Sequence, residues 1–232
     1  MPTTTQIDYE PLTAPQLVDQ ILAEAGSAPI CLTSSFQTED IIVLHILRQH
    51  LPQVPVIFLE TGYHFADLIT YRDLIAREWN LNLINALPIT TLAEHEAQHG
   101  LLHLIEPTRC CQIRKVEPLM RSLEPYTWWF TGLRREQSPT RANLQKIEAH
   151  TLPTGRHMTK ISILADWNWA RVQDYAATHN IPRLPLYDRG YTSIGCEPCT
   201  AIPTPGADPR SGRWGGKKLE CGIHTFSEAK QP

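Results

Sequence analysis

Strand-like and helix-like segments alternate along the first two-thirds of the chain, and this alternation restricts the fold more than any other feature. The apolar, strand-like runs cover residues 30–33, 56–59, 81–86 and 128–131. The helix-like segments cover residues 17–22, 41–47, 64–79 and 113–123. Because strands that alternate with crossover helices pair in parallel, the pattern predicts an α/β fold with a parallel sheet and flanking helices.

The residue pattern of the sequence changes after about residue 182. Prolines punctuate this part at positions 182, 185, 198, 203, 205 and 209, and apolar periodicity fades. An irregular segment of this length needs docking on the main domain or a bound metal to become ordered. We therefore predict an α/β domain, expected to bind a nucleotide, at residues 1–182 and an irregular, Pro-rich C-terminal arm at residues 183–232.

Length and charge limit the class of protein. The 232 residues fit one domain with an appendage, and a net charge of −3 argues against wholesale binding to nucleic acid. No apolar run reaches the roughly 20 residues that cross a bilayer, and residues 1–10 lack the features of a signal peptide. These observations predict a cytoplasmic protein with no membrane partner, and they leave open whether it forms a homo-oligomer.

Four of the six cysteines form two close pairs, Cys110-Cys111 and Cys196-x-x-Cys199. In a reducing compartment such pairs indicate metal binding more often than structural disulfides. Four thiolates suit either tetrahedral zinc or a 4Fe–4S cluster, and adjacent cysteines fit a cluster with several irons more easily. A thioredoxin-like dithiol is a weaker alternative, because the CxxC lies in Pro-rich coil. Cys31 lies in a predicted strand, and we assign it no role.

The sixth cysteine, Cys221, lies near the C-terminus in the segment Glu-Cys-Gly-Ile-His. Nearby Lys217, Lys218 and His224 could stabilise its thiolate, so the pattern suggests a nucleophile, with a stray surface cysteine as the alternative.

Cationic residues cluster in three places, which suggests a small polyanionic ligand in an acidic chain. The clusters are Arg114-Lys115, Arg134-Arg135 with Arg141, and Arg210 with Arg213. Guanidinium groups present a bidentate fork that suits phosphate and sulfate, although solvated surface arginines are the simpler interpretation of any one pair. The loop at residues 34–38 follows a strand and precedes a helix, so it could cradle an anion.

Several segments together resemble the assimilatory phosphosulfate reductases. They are Ser35-Phe36 with Glu39-Asp40, Glu60-Thr61-Gly62-Tyr63, the run at 110–119, the run at 131–138, Asp188-Arg189-Gly190-Tyr191, the run at 193–200 and the run at 220–224. The resemblance implies a Rossmann-like, adenine nucleotide α-hydrolase type of sheet and a role in assimilatory sulfate reduction and cysteine biosynthesis. It implies that adenosine 5′-phosphosulfate is reduced to sulfite and AMP by a thioredoxin-dependent oxidoreductase.

The resemblance also implies site residues. Cys110, Cys111, Cys196 and Cys199 correspond to the ligands of one 4Fe–4S cluster, and Cys221 to the catalytic nucleophile. The implied substrate-binding residues are Ser34, Ser35, Phe36, Thr61, Gly62, Lys115, Arg134, Arg135, Arg141, Arg210, Arg213 and His224. Two positions depart from the family pattern: Gln37 replaces a usual glycine, and Glu60 replaces a usual aspartate.

The implied mechanism is attack of the Cys221 thiolate on the sulfur of bound sulfate, followed by release of sulfite to a partner thiol. Three rival functions stay open at this point. One is reduction of the 3′-phosphorylated nucleotide, or dual specificity. Another is a zinc-binding, adenylating RNA-modification enzyme, and the third is a non-catalytic zinc module.

Overall fold

A computed structural model describes residues 7–218 and 220–224 of the chain. Its centre is a six-stranded sheet with the strand order β3-β2-β1-β4-β6-β5. The strands are β1 Ile30–Thr33, β2 Pro55–Leu59, β3 Asn82–Ala86, β4 Trp128–Phe130, β5 Ile147–Thr151 and β6 His157–Ile161. The α-helices are α1 Ala14–Ala25, α2 Thr38–Leu47, α3 Ala66–Glu78, α4 Leu92–His99, α5 Leu102–Ile105, α6 Pro107–Cys111, α7 Glu117–Leu123 and α8 Trp169–Thr178.

The sheet is parallel except at one edge, where β5 pairs antiparallel with β6. The predicted α/β class with flanking helices is confirmed, and the all-parallel expectation is corrected at this edge. A tight turn joins the two strands, in which Leu152 N–H donates to the Arg156 carbonyl at 2.8 Å. Because a short turn can join only antiparallel neighbours, β5 cannot continue the parallel order.

Alternate residues of the central strands pack against opposite layers. Leu32 of β1 and Phe130 of β4 belong to one apolar cluster, which includes side chains of α1, α2, α3 and α8. Cys31 and Trp129, their neighbours along the same strands, belong to a second cluster with Leu119 of α7. Both sides of these central strands are therefore covered, as expected for a sheet between two helical layers.

The cysteine pair lies at the end of a helix rather than at its start. Cys111 is the last residue of α6, and a π-helical turn, Gln112–Val116, joins α6 to α7. The helical segment predicted at 113–123 therefore begins earlier in the structure, at Pro107, and includes the cysteine pair. The π turn widens the helix locally, and such turns often occur at functional sites.

Within its described residues, the arm after residue 182 contains 3₁₀ turns and one isolated β-bridge between Thr200 and Arg213, but no α-helix or named strand. These turns are Pro185–Arg189, Glu197–Cys199 and Trp214–Gly216. Leu184, Leu186 and Ile194 of the arm are buried in the larger apolar cluster. The arm therefore packs against the strands and helices that form this cluster. The boundary at residue 182 stays a prediction. Across residues 7–218 and 220–224, no helix has the length and apolar character required to span a bilayer.

Candidate active site

A cavity of about 910 Å³ opens where β1, β2 and β4 end. Its lining includes Ser34 and Ser35 after β1, Thr61 after β2 and Gly132 after β4. The chain order reverses between β1 and β4, since β2 and β3 lie on one side and β6 and β5 on the other. Parallel α/β sheets bind ligands at such a switch point, outside the carboxyl ends of the strands.

The loop after β1 is held in a strained but well-bonded conformation. Phe36 is fully buried and has a positive φ of 58°, and its N–H donates to Ser34 Oγ at 3.1 Å. Ser35 donates from both N–H and Oγ to one carboxylate oxygen of Asp40, each at 2.6 Å. Ser34 and Ser35 therefore face the cavity, whereas the Phe36 side chain anchors the loop in the core and does not line the cavity.

Asp40 is a site residue that we did not select from the sequence. Burial raises the pKa of Asp40 to about 6, although hydrogen bonds from Ser35 and Gly132 act in the opposite direction. Gly132 has no Cβ, and a Cβ there would overlap the Asp40 carboxylate. Two sequence signals pointed to Asp40: its place in a segment that resembles the phosphosulfate reductases, and its position in the first turn of α2, where it complements the helix dipole.

Gln37, the first departure from the family pattern, has a defined structural role. Its Oε1 accepts from the Ile194 N–H at 2.8 Å, and its Nε2 donates to the Ile194 carbonyl at 3.1 Å. The backbone φ of Gln37 is −78°, so the conformation does not require glycine. The side chain thereby ties the loop after β1 to the C-terminal arm, two residues before Cys196.

The loop after β2 is fixed by charged neighbours. Thr61 is fully buried and lines the cavity, and its carbonyl accepts from Arg114 Nε at 2.6 Å. Gly62 has a φ of 78° and lies against Arg114 instead of lining the cavity. Glu60, the second departure, pairs with Arg72 at 3.1 Å and accepts from the Gly62 N–H at 2.9 Å.

Lys115, Arg141, Arg210 and Arg213 line the same cavity, although they come from three separate parts of the chain. Burial lowers the pKa of Arg213, which is only 6% exposed and lies over the Trp214 ring at 4.4 Å. Burial also lowers the pKa of Lys115, but the neighbouring Cys196, Cys221 and Cys111 outweigh this effect and raise it above its ordinary value. These cations therefore gather at one end of the cavity, next to the thiols.

The described end of the chain, residues 220–224, contributes Glu220, Cys221, Ile223 and His224 to the cavity lining. The ring of His224 stacks on Trp129 with centroids 5.8 Å apart and planes 17° apart. Burial, and then Lys160 and Arg141, hold the pKa of His224 well below its usual value. His224 is therefore neutral at pH 7, and it packs as an aromatic ring.

The two cysteine pairs meet at a second, smaller cavity. Cys110, Cys111, Cys196 and Cys199 all line it, with Arg114 and Lys115 among the other lining residues. Thr61 Oγ1 lies 3.4 Å from Cys196 Sγ. Burial raises the pKa of Cys110 to about 12, and the proximity of the other three cysteines adds to that shift. Four soft thiols around one cavity match the donor set of zinc or an iron–sulfur cluster.

Among residues 7–218 and 220–224, no three or more His, Cys, Asp or Glu side chains are arranged to hold a single metal ion. Cys31 lies apart from both cavities and is fully buried in the sheet.

Arg134 and Arg135 are engaged with protein carboxylates. Arg134 lines the large cavity, but it pairs with Glu39 and with Glu136, each at 2.9 Å. Arg135 does not line the cavity, and it pairs with Glu10 at 2.6 Å. The structure therefore brings together ten of the thirteen predicted catalytic and substrate residues, and leaves Phe36, Gly62 and Arg135 outside the lining.

Residues 29–202 match the model of the phosphoadenosine phosphosulfate reductase domain. The chain belongs to this family. The resemblance seen in the sequence motifs is thereby confirmed. A family member from Rhodococcus opacus, named adenosine 5′-phosphosulfate reductase, is 45% identical over 80% of this chain and 75% of its own. A member from Gloeobacter violaceus, named phosphoadenosine 5′-phosphosulfate reductase, is 44% identical over 89% of this chain and 88% of its own.

Solved structures of the family's fold resemble the chain as well. The phosphoadenylyl-sulfate reductase of Candida auris superposes with a TM-score of 0.68 at 23% identity, over 84% of this chain and 98% of its own. The FMN adenylyltransferase of Candida glabrata gives a TM-score of 0.60 at 16% identity, over 82% of this chain and 61% of its own. These similarities support the adenine nucleotide α-hydrolase type of fold.

Proposed function

We propose that this family member reduces adenosine 5′-phosphosulfate to sulfite and AMP, with Cys221 as the nucleophile and reduced thioredoxin as the electron donor. The observation that carries the proposal is the shared cavity of Cys221, Lys115, Arg210 and Arg213 at the carboxyl end of the sheet. A thiol is thereby placed among cations that suit a phosphosulfate anion.

In the first step, the Cys221 thiolate attacks the sulfur of the bound sulfate. An S–S bond forms, the S–O bond to the phosphate breaks, and AMP leaves with that oxygen. Lys115, Arg210 and Arg213 stabilise the negative charge on the sulfonate and phosphate oxygens, which is electrostatic preorganisation. Ser34, Ser35 and Thr61 also line the cavity, where they are available to the nucleotide.

In the second step, a dithiol partner provides two electrons. One partner thiolate attacks Cys221 Sγ and expels sulfite, and the second partner thiol then resolves the mixed disulfide and restores the Cys221 thiol. The half-buried position of Cys221 leaves part of the residue accessible to such a partner. Because the cycle needs reduced thiols, we place it in the cytosol.

The four cysteines at the smaller cavity would hold a 4Fe–4S cluster, as the donor set and the resemblance suggest. When bound, the cluster would supply structural cross-linking and negative charge close to Lys115, rather than electrons for the reduction. Iron and acid-labile sulfide analysis tests this assignment, and stoichiometric zinc without sulfide in anaerobically reconstituted protein would contradict it.

The second candidate substrate is 3′-phosphoadenosine 5′-phosphosulfate. The Gloeobacter violaceus relative bears that name at 44% identity, against 45% for the Rhodococcus opacus relative. The two cysteine pairs of this chain favour adenosine 5′-phosphosulfate, because the resemblance links them to that branch. Comparing kcat/KM for the two nucleotides with one reductant distinguishes the branches, since that ratio measures transition-state binding.

The assignment of Cys221 as the nucleophile can be tested in the absence of a reductant. Wild-type protein incubated with adenosine 5′-phosphosulfate should gain a sulfonate adduct on Cys221, visible by mass spectrometry and removed by reduced thioredoxin. Cys221→Ser should form neither adduct nor sulfite, because serine is a much weaker nucleophile at neutral pH. Cys31→Ala is the control, since Cys31 lies in the core, and it should retain the adduct. Turnover by Cys221→Ser, or an adduct on another cysteine, would refute the assignment.

A further inference from the structure

Glu220, the residue before Cys221, makes a close ion pair with Arg141. Arg141 donates from Nε to Glu220 Oε1 at 2.9 Å and from Nη2 to Oε2 at 2.8 Å, which is a bidentate arrangement. Thr140 Oγ1 also donates to Glu220 Oε1 at 3.0 Å. The two charged side chains are only 12% and 14% exposed. Water therefore screens the pair less than it screens a surface salt bridge.

The pair joins two distant parts of the chain. Arg141 ends the 3₁₀ turn Pro139–Arg141, which Ser138 caps through its side chain, so Arg141 belongs to the main domain. Glu220 lies 79 residues later in the C-terminal arm. Arg141 Nη1 donates to Gln137 Oε1.

The segment is also held on the other side of Cys221. Gly222 has a φ of 94°, and a Cβ on it would contact Val116 of the π turn. His224 follows and stacks on Trp129. Burial raises the pKa of Glu220, but the hydrogen bond and the charge of Arg141 outweigh it and leave the pKa below its usual value. Glu220 is therefore an anion over the working pH range, and the ion pair persists.

We propose that Arg141 is a positioning residue that acts through Glu220 to hold the Cys221 thiol beside Lys115 and Arg213. This inference rests on the proposed role of Cys221, and it changes the role that the resemblance implies for Arg141. In that role Arg141 contacts the substrate anion. In the structure the carboxylate of Glu220 takes that place and also lies 3.6 Å from Arg210 Nη2, so Lys115 and Arg213 are the cations that neutralise the phosphosulfate.

The two roles predict opposite effects on nucleotide binding. If Arg141 positions Cys221, loss of either partner slows the reaction of bound substrate and leaves the affinity nearly unchanged. If Arg141 binds the substrate, Glu220 is its competitor. Removing Glu220 would then strengthen nucleotide binding, and removing Arg141 would weaken it. A double-mutant cycle separates these cases, because partners in one ion pair give non-additive effects.

The experiment uses the full chain and the variants Glu220→Gln, Arg141→Gln, the double variant and Glu220→Asp. Single-turnover formation of the Cys221 adduct at saturating adenosine 5′-phosphosulfate should slow about 30-fold in each single Gln variant, since misplacing a nucleophile by about 1 Å costs up to 10²-fold. The double variant should be no slower than either single variant. Glu220→Asp, which retains the charge, should recover part of the rate. The Kd for AMP should change less than about threefold throughout.

Asp166→Asn is the matched control, because Asp166 pairs with the buried Lys146 at 3.1 Å away from the large cavity. It should leave the rate of adduct formation unchanged. Thermal unfolding of every variant identifies any general loss of structure. A wild-type rate in Glu220→Gln would overturn the inference. So would an AMP Kd that rises at least tenfold in Arg141→Gln and falls in Glu220→Gln. Absence of the adduct from wild-type protein would instead reject the proposed function.

Discussion

The amide side chain of Gln37 should stabilise the arm on the sheet, and its removal is a direct test of how the arm is held. Gln37 Oε1 and Nε2 form a pair of hydrogen bonds with the N–H and carbonyl of Ile194, at 2.8 and 3.1 Å. Nε2 also donates to Ser35 Oγ at 3.0 Å. Ile194 is buried in the core, so its backbone groups have restricted access to water.

The size of the effect follows from these bonds. A typical hydrogen bond contributes about 1 kcal/mol, and an unsatisfied buried partner costs about 1–3 kcal/mol. Gln37→Ala removes the two bonds to Ile194, and water can reach part of the gap. We therefore expect the free energy of unfolding to fall by about 2–3 kcal/mol. For a domain of this size, that corresponds to a fall in Tm of roughly 4–12 °C.

Urea unfolding followed by circular dichroism measures the change. The matched control is Gln53→Ala, because Gln53 Nε2 also donates to a backbone carbonyl, that of Asn80, at 3.1 Å, but at an exposed position. We expect the control to lose less than about 0.5 kcal/mol. Equal losses in the two variants would refute the idea that Gln37 anchors the arm. A fall in kcat/KM should accompany the loss in Gln37→Ala, since Ile194 is close to Cys196 in sequence.

Two further predictions concern Gly195 and Asp40. A Cβ at Gly195 would overlap the Arg213 guanidinium, so Gly195→Ala should displace that cation and lower kcat/KM at least about tenfold. The visible spectrum of the proposed cluster should stay unchanged, and full activity would contradict the placement of Arg213. Burial raises the pKa of Asp40 from 3.8 to about 6, so the folded state binds the proton more tightly than the unfolded state does. The Asp40 contribution to stability is therefore complete below about pH 4 and is lost as the pH rises to about 6. In urea unfolding across this range, Asp40→Asn should lack that decline, and an unchanged slope would contradict the prediction.

The central strands could be predicted from sequence because they are short, apolar and buried on both faces. β1 lies at Ile30–Thr33, as predicted, and the predicted run at 56–59 differs from β2 by one residue. β5 and β6 were missed because they carry polar residues such as His150 and Lys160. Lys160 is buried, and its charge is balanced by Glu148 at 2.9 Å. This partly buried ion pair puts charged residues where apolar residues are expected, so an analysis of apolar periodicity does not recognise the strand.

The helices, like the strands, could be predicted only where apolar residues form a clear pattern. α1 was recognisable from Leu17, Val18 and Ile21, which form a buried stripe, and Gly26 is the C-cap of the helix. α8 was missed, because Val172 is the only buried residue of its ten. Its remaining surface is too polar or too exposed to produce a stripe. The π turn at Gln112–Val116 was not predicted, because its residues are apolar and charged in a pattern that also fits the continuous helical segment predicted at 113–123.

For the site, the sequence indicated which residue types matter, but their charge partners depend on tertiary contacts. Arg134, Arg135 and Arg141 formed one cluster in the sequence, yet each has its own carboxylate partner, namely Glu39, Glu10 and Glu220. None of these pairs could be inferred from spacing, since the partners lie 79 or more residues apart. The role of Asp40 was missed for a related reason, because it depends on the close approach of Gly132 after β4.

The pairing of some arginines with carboxylates of the protein explains how an acidic chain can present a site for a polyanion. Among the described residues, no carboxylate lies within ion-pair distance of Lys115 or Arg213, although both line the large cavity. The groups that interact with their charges are the thiols of Cys111, Cys196 and Cys221. An incoming anion therefore has no carboxylate of the described residues to displace from these two cations. A net charge of −3 argues against a broad basic surface, but it does not exclude two enclosed cations beside the Cys221 thiol. The selectivity for a small sulfated nucleotide therefore depends on which cations remain without an internal carboxylate, and not on how many the chain contains.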